Sequence, residues 1–266
     1  MTSPASAAPA PSGAGAPASA VVLSTRGLTW RVGGFTIVED VDLDVREGEF
    51  LSVIGPNGAG KSTLINLLSG TATPVAGTVE LRGRDVTRRR PSDRVRAGLG
   101  RTFQTSSLFP GLSVLENARL AAQARRGSLA LWRRPSAGDA ATRAALARLE
   151  EVGLAHRAGD RVGDLPHGDK RKLEIAVVLC SDPRVLLLDE PTAGVSAEEV
   201  GPLVDVVRAV HASGRTVVMV EHHMELVTGM SDRIAVMHQG RLLLADVPEV
   251  VMADPTVREA YLGAEL

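Results

Sequence analysis

The chain has 266 residues, is 44% hydrophobic and carries a formal net charge of -1. That is enough apolar material for one large domain or two small ones and too little basicity for a general nucleic-acid surface, so no nucleic-acid partner is expected. No apolar run approaches the roughly 18 residues a membrane-spanning helix needs, and the single cysteine, Cys180, excludes an internal disulfide and suits a reducing compartment.

Residues 1 to 20 are almost entirely Ala, Pro, Ser and Gly. They cannot bury enough apolar surface to fold, and they lack the basic start and apolar core of a secretory signal, so a disordered tail is expected. From Val21 the pattern is extended: Val21 to Leu23 and Leu28 to Val32 read as strand, with a hairpin signal at Gly33-Gly34. Asp40 to Val45 alternate strictly between acidic and apolar, the mark of a half-buried antiparallel strand. Phe50 to Ile54 is a short apolar run suited to a buried strand, and residues 64, 65, 67 and 68 have helical spacing up to Gly70. Between them lies Gly55-Pro56-Asn57-Gly58-Ala59-Gly60-Lys61-Ser62-Thr63, which matches the phosphate-binding loop pattern. The strand, loop and helix order favours that reading over a glycine-rich turn that binds nothing. Backbone N–H groups and the helix N-terminus suit a triphosphate. Lys61 is expected to neutralise the β- and γ-phosphates of ATP, and the Ser62 hydroxyl to ligate Mg²⁺.

Gly77 to Leu81 reads as a further strand, Arg88 to Pro91 as a solvated charged loop, and Gly98 to Thr105 as a short extended stretch containing a lone Gln104. Residues 111 to 180 are mostly helical: one helix opens near Leu112, another spans 139 to 153 with Leu146, Leu149 and Val152 on one face, and a third runs from Arg171 to Cys180 after Leu165-Pro166-His167-Gly168-Asp169-Lys170. The stretch from Arg125 to Pro135, containing Trp132, is an irregular basic and apolar insert; it suits contact with a membrane or a membrane partner as well as it suits a loop packed on its own helices. Val185 to Asp189 and Thr216 to Val220 are buried strands, ending at Asp189-Glu190 and at Glu221-His222-His223, with a helix over 197 to 212 between them. A hairpin about Gln239-Gly240 and a helix near Pro255 to Leu262 close the chain.

Apolar strands alternating with helices imply an α/β fold with a parallel core sheet, here preceded by an antiparallel β-layer. Ligands of such sheets sit at the carboxyl ends of the strands, so Gly55 to Ser62, Gln104, Asp189 with Glu190, and His222 are expected at one edge. Asp189 suits the metal-supporting acid of a phosphate-loop ATPase and Glu190 a general base for water; two carboxylates capping a strand is the plainer alternative. His222 could donate to a γ-phosphate, but read alone it is better explained as a structural histidine.

The order and spacing of Gly55 to Ser62, Gln104, Leu165 to Lys170, Leu187 to Pro191 and His222 resemble those of ABC transporter ATPase subunits over about residues 21 to 266. The resemblance implies an ATP-binding lobe, a helical lobe near 106 to 180 and a C-terminal hairpin and helix near 233 to 266. It implies a head-to-tail pair of ATPase subunits, each ATP lying between one phosphate loop and the partner's signature loop, here Leu165, Pro166, His167, Gly168 and Asp169. Gln104 becomes the lobe-connecting sensor of Mg²⁺ and γ-phosphate, Glu190 the catalytic base and His222 the switch histidine. Gly100 to Gln104, Leu108 to Pro110, Val114 to Asn117, Lys172 to Ala176 and Asp254 to Gly263 look like importers of the branched-chain amino acid type, with urea and amide importers closely similar. The implied assembly holds a second ATPase, two membrane permeases and an extracytoplasmic solute-binding protein, with this chain on the cytoplasmic face of the plasma membrane. A soluble ABC ATPase serving translation or repair is the rival; it usually carries two ATPase units or long coiled-coil inserts. The sequence departs from the family at Val32, where an aromatic ring usually stacks on adenine and Trp30 or Phe35 would substitute. It also departs at Pro166 in place of the signature serine, at Asp169 in place of Gln or Glu, and at Ser196 in place of a frequent Asp.

Overall fold

Gly33 and Gly34 turn the chain between two long antiparallel strands, β1 (Val21–Val32) and β2 (Phe35–Arg46). The computed structural model describes residues 20–102, 107–125 and 139–262. β1 is one strand rather than two extended pieces, because a register shift between Thr25 and Leu28 accommodates the intervening residues. Val41, Leu43 and Val45 are buried while Asp40 and Asp42 face outward, as the alternation predicts. After the fully buried β3 (Phe50–Ile54) come α1 (Lys61–Ser69), β4 (Ala76–Leu81) and β5 (Arg84–Asp85), and β2-β1-β4-β5 form one antiparallel sheet. Arg88, Arg89 and Arg90 are exposed, and Pro91 opens α2 (Pro91–Arg96), where its missing N–H is harmless. The buried Arg94 of α2 donates to the Leu67 and Leu68 carbonyls at 2.6 Å each, capping the C-terminus of α1.

β6 (Leu99–Arg101) is followed by α3 (Val114–Arg125). This helix starts beyond Leu112 because Ser113 and Glu116 form a capping box: the Ser113 N–H donates to Glu116 Oε2 (2.9 Å) and the Glu116 N–H to Ser113 Oγ (3.2 Å). α4 (Ala140–Glu151) is capped by the Asp139 carboxylate, which accepts from the N–H groups of Ala141 and Thr142. Its buried stripe is Thr142, Ala145 and Leu149, continued by Val152; Leu146 lies at the edge, only half-buried. α5 (His167–Leu179) begins four residues before the expected Arg171. Pro166, with φ fixed at -56, sits at its N-cap, so the helix starts immediately after the ring and takes His167 to Lys170 into its first turn.

The core sheet continues with β7 (Val185–Asp189), α6 (Ala197–Ala212), β8 (Thr216–Val220), α7 (Met224–Met230), and the hairpin β9 (Arg233–His238) and β10 (Arg241–Asp246). Two short helices end the described chain: α8 (Pro248–Ala253), which the sequence reading did not anticipate, and α9 (Pro255–Leu262). Strand order is β10-β9-β3-β8-β7-β6, parallel except for β10. Strand alternation divides the core. Leu51, Val53, Val185, Leu187, Val218 and Val220 face α1 and the antiparallel layer. Leu186, Leu188, Val217 and Met219 face α5 and α6, in a cluster that extends into α3 and α4. Cys180 lies in this second cluster, and burial raises its thiol to about 11. Thiol reagents are therefore expected to label it only after denaturation; labelling of the native chain would contradict the packing.

Candidate active site

Parallel β3, β8 and β7 are neighbours, so their carboxyl ends lie side by side and deliver Gly55, Glu221-His222 and Asp189-Glu190 to one edge. Two glycines are required by the loop after β3. Gly55 has φ 149, and a Cβ there would collide with the Met237 carbonyl oxygen. Gly60, at the N-cap of α1 with φ 98, would bring a Cβ to 2.8 Å from the Ile37 carbonyl oxygen. No side chain caps α1 and its first turn holds no acid, which leaves its N-terminal N–H groups and dipole for an anion. Lys61 is buried, and its Nζ donates to the carbonyls of Gly55 (2.7 Å) and Pro56 (3.0 Å). Burial lowers its pKa, while the charges of Glu190 and Asp189 oppose that shift. Residues 57–63, Ile37 and Glu190 line a cavity of about 200 Å³ here.

Asp189 has the same strand parity as Val185 and Leu187, which turns its side chain toward α1. Arg101 Nη2 pairs with its Oδ2 at 3.2 Å, and Nη1 reaches Asn66 Oδ1 (2.7 Å) and Ser69 Oγ (2.8 Å) on α1. Burial raises the Asp189 pKa, and Arg101 works against that rise. Ser62 approaches closely enough to favour the charged form, yet Oδ1 is buried with no partner of hydrogen-bond geometry. A buried, unpartnered carboxylate oxygen beside a serine hydroxyl fits a hard divalent cation. Glu190 is half-buried, with φ 48, and its N–H donates to the Val220 carbonyl at 3.0 Å. Such a left-handed non-glycine residue costs about 1–3 kcal/mol and is tolerated where the surroundings enforce it.

The His222 side chain is 53% exposed, and its ring lies 4.3 Å from that of His223 in a tilted pair. Between the two strand ends is Glu221, whose side chain is fully buried. Glu221, His222 and His223 have potential metal-ligand atoms within 4.8 Å of one another. Both Glu221 oxygens already accept hydrogen bonds, so the cluster makes a poor cation site.

At the signature stretch, Leu165 and Gly168 are buried, whereas Pro166 and His167 are exposed at the start of α5. The Gly168 N–H donates to Glu199 Oε1 of α6 at 3.3 Å, and a Cβ on Gly168 would approach Glu199 Cβ to 2.9 Å. Asp169 pairs with Arg157 (3.2 Å) and Lys172 (3.6 Å) within the chain. Ser196 Oγ donates to Glu199 Oε2 at 3.3 Å. The expected grouping of the phosphate loop with Asp189 and Glu190 is therefore found. Gln104, and the Trp132 insert beyond Arg125, lie outside the described residues. Sequence reasoning gave no individual role to Arg101, Glu199 or Glu221. The parallel pairing of Arg101 with Leu187 is what places the guanidinium near Asp189, and such register is not encoded in any contiguous motif.

A phosphate loop at the head of α1, after β3, with paired acids at the end of β7, the parallel strand next but one to β3, defines a phosphate-loop nucleoside triphosphatase. An added antiparallel layer narrows the class further. The ABC transporter family profile matches residues 38–193, and the chain belongs to that family as an ATP-binding, ATP-hydrolysing transporter subunit. It is 39% identical over 249 residues to the high-affinity branched-chain amino acid transport ATP-binding protein LivG of Salmonella typhimurium, covering 91% of this chain and 98% of that one. It is 38% identical over 250 residues to BraF of Pseudomonas aeruginosa, which carries the same description, with the same coverage. The solved ADP conformation of MJ1267, an ATP-binding cassette of an ABC transporter, superposes with a TM-score of 0.82 at 29% identity, covering 92% of this chain and 100% of that one.

Proposed function

We propose that the chain drives uptake of branched-chain amino acids or similarly small polar solutes from the cytoplasmic face of the membrane. In this reading it pairs with a second ATPase subunit and works with two permeases and an extracytoplasmic solute-binding protein. The observation that carries the chemistry is the meeting of Lys61 and Glu190 at one cavity, with the buried Asp189 close enough for its charge to act on Lys61, and the amino acid cargo is supported by the likeness to LivG and BraF. Lys61 and the N–H groups of α1 hold the phosphates, Glu190 takes the proton of the attacking water, and His222 donates to the γ-phosphate. Mg²⁺ held by Ser62 and Asp189, with Gln104 as sensor, would neutralise phosphate charge. Phe35 is 75% exposed and shares a strand face with Ile37 of the cavity, which favours it over the partly buried Trp30 as the ring beneath adenine. Helices α3 to α5 form the lobe that presents Pro166 to Asp169 to the partner's ATP.

The test is reconstitution of the assembled transporter in proteoliposomes with its solute-binding protein. Leucine, isoleucine or valine is expected to stimulate ATP hydrolysis. Stimulation by urea or short amides alone would move the cargo to that class. Hydrolysis indifferent to every solute, in a chain that forms no complex with permeases, would favour a soluble ATPase.

A further inference from the structure

Glu221 is the most heavily engaged carboxylate near the nucleotide cavity, and none of the roles above uses it. Its Oε1 accepts from the Thr192 N–H (3.2 Å) and from the Thr192 hydroxyl. Its Oε2 accepts from the His222 N–H (3.0 Å) and lies 3.1 Å from His223 Nδ1. Thr192 Oγ1 is itself 3.3 Å from His223 Nδ1. We propose that Glu221 is a positioning residue for ATP hydrolysis: a buried carboxylate that locks the Glu190–Thr192 turn to the His222 segment, so that base and histidine keep one relative geometry.

The chemistry favours a carboxylate at this position. Glu221 lies just past the end of β8, adjacent to β7, and its side chain is sealed from solvent. Hydrogen bonds from Thr192 and from the backbone of His222 outweigh its burial and hold it ionised below the usual carboxylate range. An ionised carboxylate only accepts, and donors approach it from both segments. The second tie between the segments is the Glu190 N–H donating to the Val220 carbonyl at 3.0 Å, next to the left-handed Glu190. One backbone bond and one carboxylate clamp thus define where Glu190 stands relative to His222. Glutamine at 221 has the same length, but its NH₂ would face donors on one side or the other, so one half of the clamp opens.

This inference rests on the proposed roles of Glu190 and His222, and the experiment separates the two. In the purified transporter complex, Glu221→Gln and Thr192→Val are each expected to lower kcat for ATP hydrolysis roughly tenfold or more, since hydrolysis depends steeply on alignment. KM for ATP and affinity for a fluorescent ATP analogue are expected to stay within about twofold, because the phosphate loop is untouched. The double variant is expected to be no slower than the slower single variant, the mark of one shared network. Unchanged kcat in both single variants, losses that multiply in the double, or kcat falling only in proportion to folded protein would overturn the proposal. Glu190→Gln is the control. Turnover surviving there sinks the reading of the site itself; turnover lost there and kept in Glu221→Gln and Thr192→Val sinks only the clamp.

Discussion

Glu190→Gln is expected to retain ATP and to lose nearly all turnover. The amide has the size of the carboxylate, so the left-handed backbone at 190 and the bond from its N–H to Val220 survive the change. Contacts of Lys61 with the Gly55 and Pro56 carbonyls, and the open N-terminus of α1, do not involve residue 190. What disappears is the group proposed to accept a proton from water, and positioned general bases contribute about 10²–10⁴-fold, or roughly 3–5 kcal/mol of barrier. One side effect has a predictable sign. The Glu190 charge opposes the burial-driven lowering of the Lys61 pKa, so the amide lets that pKa fall somewhat further, while Asp189 continues to hold the ammonium charged. Affinity for ATP is therefore expected to change only a few-fold. Equilibrium binding of a fluorescent ATP analogue and phosphate release, measured on the same purified complex, check both halves; near-wild-type release would remove Glu190 from the role of base.

The site was legible in the sequence to the extent that its groups lie on contiguous motifs. Gly55 to Thr63 is a local pattern whose geometry follows from backbone sterics, and the close approaches of Gly55 and Gly60 fall within it. Asp189 and Glu190 are marked by the end of an apolar run, because a buried parallel strand can place carboxylates only where it emerges. Arg101, Glu199 and Glu221 were not legible as partners: each acts on a residue far away in the chain, and the pairing is set by sheet register or helix packing. Helix starts were misplaced for a related reason. Ser113 with Glu116 and Pro166 at the head of α5 are local signals that set the helix starts, which apolar periodicity alone does not mark.

The second large effect concerns the ATP of the proposed partner subunit, which in the arrangement proposed above faces the head of α5. Pro166 supplies neither a hydroxyl nor an N–H there, so two donors that a serine would offer are missing. The structure narrows what remains. The Gly168 N–H is engaged by the Glu199 carboxylate of the same chain, and Asp169 is tied to Arg157 and Lys172. A phosphate arriving at this helix would compete with Glu199 for that N–H and meet its negative charge, while the helix dipole still favours the anion. The deficit relative to a complete signature loop is about one charge-assisted hydrogen bond, 1.5–3 kcal/mol, or roughly ten- to a hundredfold in the affected step. In a heterodimer whose other subunit carries the serine, the ATP held by Lys61 and Glu190 is expected to turn over fast and the ATP facing Pro166 slowly. Glu190→Gln is then expected to remove most of the ATPase rate of the purified complex, and the matching Glu→Gln change in the partner to remove little. Restoring serine at Pro166 is expected to raise the rate of the slow site. Equal losses from the two Glu→Gln changes, with no gain from Pro166→Ser, would mean that exposed His167 or the helix N–H groups already make good the missing hydroxyl and that both sites hydrolyse alike.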